Sequence, residues 1–125
     1  MIKKITLVVL FALLLAISFY QNQFLNKNGE RFVTDIEKIE SLINNEDYKN
    51  AELYSNKTFN DWMKVKKKYE IFCEHEEVDK IQACFESLLV LVRQNNELSL
   101  NECALLKYYL DHIVNIDSFS IENIF

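Results

Sequence analysis

The sequence predicts an all-α protein: an N-terminal transmembrane helix followed by a small antiparallel helical bundle of two helix hairpins. Three observations predict it. The 125 residues include no proline and a single glycine, Gly29, so the residues that end helices and shape tight strand turns are nearly missing. Residues 5–20 carry no charge and are almost wholly apolar. Beyond Gly29, apolar residues recur at spacings of three and four, the period of one helix face.

The apolar run would span about 24 Å as a helix, slightly short of a bilayer's hydrocarbon core. Phe24 and Leu25 extend it if residues 21–23 lie among headgroups. Lys3 and Lys4 can snorkel at one end, and Phe19 and Tyr20 supply an aromatic belt at the other. A secretory signal sequence is the alternative, because Ala16-Ile17-Ser18 offers small residues for cleavage. The run passes straight through that point, which favours an uncleaved anchor over residues 1–27 and an extracytoplasmic helical domain over residues 28–125. Lys3, Lys4 and the terminal amine outweigh Lys27 and Arg31. The expected location is therefore the cell membrane, crossed once, with the N-terminus cytoplasmic.

Gly29 is the expected break after the anchor. Phe32, Ile36, Ile39 and Ile43 form the first stripe, with Thr34 and Glu37 as a capping pair. Asn44-Asn45 should end that helix, since asparagine tolerates the left-handed conformation, and Asn45 should cap the next. The second stripe is Tyr48, Ala51, Ser55, Phe59, Trp62, Tyr69 and Cys73, while Lys64, Lys66, Lys67 and Lys68 fall on a solvated face. A helix unbroken to Asn95 would be about 75 Å long, so a turn or kink is placed between Cys73 and His75. Val78, Ile81, Phe85, Leu88 and Val92 give the cleanest period in the chain. Asn95-Asn96 ends that helix, and Ser99 with Glu102 reads as a capping box. The fourth helix carries Cys103, Leu106, Leu110 and Ile113 beside a second stripe of Leu105, Tyr109, His112 and Ile116. Phe119, Ile121, Ile124 and Phe125 make an apolar tail expected to dock as a short helix.

Residues 27–125 hold 12 basic and 19 acidic side chains, and from Glu70 onward 3 basic face 11 acidic. Such a surface repels phosphate backbones, so nucleic acid is not an expected partner. Cys73, Cys84 and Cys103 are an odd set that cannot close into a complete disulfide framework and read as small hydrophobes.

The one dense polar constellation is Glu74-His75-Glu76-Glu77-Val78-Asp79. His75 and Asp79 would share a helix face, and Glu76 and Asp79 could reach one cation, but the zinc-protease pattern needs a second histidine where Asp79 stands. The other histidine is His112. No nucleophile–base–oxyanion grouping is visible, so the chain is not expected to be an enzyme or to need a cofactor. Trp62, Tyr69, His75, Glu76, Asp79 and His112 are the candidate interaction or structural polar cluster. A membrane or cell-envelope protein is the expected partner, and a metal-binding or sensory domain built on the acidic His75 cluster is the alternative.

Trp62, Tyr69, the run His75-Glu76-Glu77-Val78-Asp79 with Ile81, Leu110-Asp111-His112-Ile113 and the ending Ile121-Glu122-Asn123-Ile124-Phe125 resemble the domain-of-unknown-function family 4363. Those are short, N-anchored helical proteins of clostridia and related Firmicutes. In that family's pattern a tryptophan commonly stands at Tyr69 and an aspartate at Glu74. The resemblance implies a membrane-associated accessory protein.

Overall fold

The structure, a computed structural model, describes the backbone of residues 2–124 and the side chains of residues 2–113. It consists of four helices: α1 (Ile2–Asn44), α2 (Tyr48–Phe72), α3 (His75–Arg93) and α4 (Ser99–Ile124). Each helix packs on its neighbours in sequence, and α4 closes the ring against α1. The α1–α2 pairs Phe24–Tyr69 and Phe32–Trp62, and the α2–α3 pairs Phe59–Phe85 and Trp62–Gln82, run in opposite chain directions, so α1, α2 and α3 alternate up and down.

The expected break at Gly29 does not occur. Helix α1 runs unbroken for 43 residues, about 65 Å, and serves as both the apolar segment and the first helix of the bundle. Gly29 is buried in α1 and lines a groove of about 500 Å³ with Asn26, Val33, Leu110 and Asp111, where α4 lies alongside. It keeps a negative φ, as a residue inside a helix does. The division between residues 27 and 28 falls inside this helix, and Leu25 already belongs to the core. Thr34, expected as a cap, lies mid-helix and donates its hydroxyl to the Glu30 carbonyl at 2.9 Å.

The first half of α1 stands apart from the bundle. Its apolar window is covered by no other helix and is long enough to cross a bilayer, which makes it a candidate membrane span.

The two hairpin turns share one backbone design. Glu46 N–H bonds to the Ile43 carbonyl and Asp47 N–H to Leu42, while Asn95 N–H bonds to Val92 and Asn96 N–H to Leu91. This paired 5→2 and 6→1 pattern is the Schellman motif, which needs a left-handed residue just past the helix. Asn95 takes that role with φ 53°, as its type suggests; in the first turn Glu46 does so with φ 59°, in place of Asn44 or Asn45. Asp47, rather than Asn45, caps α2 by accepting from the Asn50 N–H and side-chain amide. At α4 the Ser99–Glu102 box gives way to Asn96, whose carboxamide oxygen accepts from Leu98 N–H while buried Ser99 donates to the Asn96 carbonyl.

The expected break between α2 and α3 lies at Cys73 and Glu74, both extended. Every stripe residue assigned to α3 is buried, as are Phe32, Ile36, Ile39 and Ile43 on α1 and Cys103, Leu106, Leu110 and Ile113 on α4. The expected short C-terminal tail is instead a continuation of α4 to Ile124, and how its side chains dock lies outside the described residues.

Candidate functional site

Two of the six candidate residues lie in the core. Trp62 and Tyr69 sit on one face of α2 with ring centroids 5.0 Å apart and are almost fully buried. Around them runs a continuous aromatic ladder from the end of the apolar segment into the bundle. Tyr20 touches Phe24 and Phe72; Phe24 touches Tyr69; Trp62 touches Phe32 and Phe85; Phe85 touches Phe59. Edge-on and offset pairs of this kind add about 0.5–1.5 kcal/mol each beyond their burial. The indole Nε1 of Trp62 donates to Gln82 Oε1 at 2.8 Å, and Gln82 in turn donates to Glu86. The Tyr69 hydroxyl is buried without a hydrogen-bond partner, and burial, with Cys73 nearby, pushes its phenol well above the usual range.

His75, Glu76 and Asp79 lie together at the start of α3 and are all exposed. The helix start is closed by backbone bonds from Glu77 and Val78 N–H to the Glu74 carbonyl, with acids in the first turn that suit the helix dipole. Glu77 pairs with Lys80 at 3.5 Å. His112 is half-buried on α4, stacked on Tyr108 with centroids 5.6 Å apart. Among the described residues, no three His, Cys, Asp or Glu side chains gather where they could hold a metal ion. The six candidates therefore divide into a buried aromatic pair, an exposed acidic helix start and a stacked histidine.

The structure brings forward other groups that single-residue patterns could not pair. Arg31 meets Asp61 at 3.2 Å, and Glu40 meets Lys107 at 2.6 Å, which holds the lysine ammonium more firmly protonated. Lys38 and Lys57 lie 4.6 and 5.6 Å from the Tyr54 ring, whose hydroxyl bonds to Asp35. Of the α2 lysines expected on a solvated face, Lys64, Lys67 and Lys68 are exposed, whereas Lys66 is half-buried and pairs with Glu70 at 3.7 Å. Cys84 and Cys103 are buried, as small hydrophobes would be, whereas Cys73 is only half-buried. Burial, with the Glu102 carboxylate beside it, pushes the Cys84 thiol up to about 11, and burial with Glu40 nearby pushes Cys103 up to about 12. Neither is a ready nucleophile. On α4 the second stripe is only partly covered: Leu105 is exposed and Tyr109 and His112 are half-buried, while the side chain of Ile116 lies outside the described residues; Tyr108, beside the stripe, is exposed.

The family model for Domain of unknown function (DUF4363) matches residues 19–124. The chain belongs to the DUF4363 family. The matched stretch begins next to Tyr20, where the aromatic ladder begins, and covers the whole bundle. No curated protein and no solved structure matches the chain.

Proposed function

We propose that this DUF4363 protein is a membrane-anchored accessory protein whose helical bundle binds a protein partner in the membrane or cell envelope. The observation that carries the reading is the continuity of α1, whose uncovered apolar half passes without a break into the bundle core. A bundle held this way meets only partners within reach of the same membrane. Its N-terminus lies in the cytoplasm and the bundle outside, as the lysines before the apolar run favour. The uncovered side chains Leu105 and Tyr108 on α4 supply apolar area for a partner of this kind.

Affinity purification of the full-length, C-terminally tagged protein from native membranes, read by mass spectrometry, tests this. The expected result is a membrane protein in stoichiometric amount that is lost from the Tyr108→Glu variant while the variant stays folded. A partner-free preparation at native levels contradicts the reading.

A further inference from the structure

The last turn of α2 lies level with the end of the apolar segment. Gln21 Nε2 donates to the Phe72 carbonyl at 3.4 Å, the Tyr20 and Phe72 rings are 6.3 Å apart, and Lys68 Nζ is 3.5 Å from the Tyr20 hydroxyl. Lys68 also lies 5.3 Å from the Phe24 ring. Next to this junction stands Ile71, 76% exposed; outside the apolar segment no other large apolar side chain among the described residues exceeds the 63% of Leu53. Lys64, Lys67, Lys68 and Ile71 follow the i, i+3, i+4, i+7 spacing of one helix face, and all four are exposed. The face is thus a lysine stripe with an apolar tip one residue before Phe72 of the junction.

The length of the apolar run adds a second constraint. Residues 5–20 reach about 24 Å, against a hydrocarbon core of about 30 Å. A short span is drawn inward until flanking residues enter the interface. Because α1 is unbroken and Tyr20 and Phe24 are packed on Phe72, the end of α2 must follow.

We propose that the C-terminal turn of α2 is a membrane-docking surface, in which Ile71 enters the lipid interface and Lys67 and Lys68 meet phospholipid phosphates. The proposal rests on the reading of α1 as a membrane anchor. Lys66 is already engaged by Glu70, so it is not one of the phosphate ligands. Glu74, Glu76 and Asp79 are exposed across the turn at the start of α3, with His75 among them, and they oppose a strongly anionic surface. The matching lipid is therefore zwitterionic, with its phosphate reached by the α2 lysines and its outward cationic group compatible with the α3 acids.

The test is tryptophan quenching by brominated phosphatidylcholine, with the full-length protein in phosphatidylcholine vesicles. Trp62 is buried in the core, so the parent protein supplies a constant background. Single Leu14→Trp, Ile71→Trp and Leu53→Trp variants report the span, the docking turn and the opposite end of α2. The expected result is quenching of Ile71→Trp by lipids brominated near the headgroup, quenching of Leu14→Trp by deeper bromines, and none for Leu53→Trp. An unquenched Ile71→Trp beside a quenched Leu14→Trp overturns the docking surface and leaves the anchor standing. If neither is quenched, the anchor fails and the docking surface with it. Adding Lys67→Glu and Lys68→Glu to the Ile71→Trp variant is expected to reduce its quenching, and unchanged quenching overturns the role given to the lysines.

Discussion

Trp62 and Gln82 join α2 to α3 through one hydrogen bond, indole Nε1 to Oε1 at 2.8 Å, at the centre of the aromatic core. The indole is fully buried, so removing its acceptor leaves an unsatisfied donor. Gln82→Met is expected to destabilise the protein by about 1–3 kcal/mol, and combining it with Trp62→Phe should cost less than the sum of the two. Phe85, stacked on the same indole at 5.8 Å, is expected to cost about 3–5 kcal/mol on Phe85→Ala. Chemical denaturation of the detergent-solubilised protein, followed by circular dichroism, measures each. An unchanged transition for Phe85→Ala would mean that α3 does not present this face to the core.

Gly29 distinguishes a hinged anchor from a continuous one. A hinge would accept proline there. In an unbroken α1, Gly29→Pro removes a backbone hydrogen bond and clashes with the preceding turn, at a cost of about 3 kcal/mol or more. The melting temperature of the variant decides: a marked fall is expected, and no change would indicate a break between anchor and bundle.

Glu46 holds the left-handed position of the first Schellman turn, which glycine occupies without steric penalty. Glu46→Gly is expected to raise stability by about 1 kcal/mol, the strain relieved outweighing the added freedom of the unfolded chain. Asn95→Gly should gain less, because asparagine already tolerates that conformation. Comparing the two denaturation midpoints checks the order.

The buried thiols give the fold an alkaline limit. Their folded pKa values, about 11 for Cys84 and about 12 for Cys103, exceed the ordinary value of 9.0, so the unfolded chain loses its thiol protons first. The stabilisation is fully present below pH 9 and is lost as pH rises toward 11–12. Melting temperature measured against pH should hold steady to about pH 9 and then fall, and Cys84→Ala should soften that fall. An identical fall in the variant would remove Cys84 as a cause.

The stripes of α1, α3 and α4 were legible because burial on one helix face leaves a repeat of three and four that a single sequence displays. Asn95 and the break at Cys73 were legible for a related reason: chain chemistry and feasible length both limit where helices end. Gly29 misled because a glycine buried inside a helix beside another helix looks in sequence like one that ends a helix, and only the place of α4 beside it separates the two. Glu46 was hidden because its left-handed turn is imposed by the hairpin and not by its own preference. Spacing rightly placed His75, Glu76 and Asp79 together, but it does not say whether that helix start faces another polar group or water, and the structure leaves it exposed. The pairing of Trp62 with Gln82, and of Tyr20 with Phe72 and Lys68, depends on helices brought together from distant parts of the chain.

The central claim is that one uncut helix ties the bundle to the membrane. Intact-mass spectrometry of the protein recovered from fractionated native cells tests it most directly. The account expects a chain that keeps residues 2–20 and stays in the membrane fraction after alkaline carbonate extraction. A shortened chain cut near Ser18 and released into the soluble fraction would contradict it.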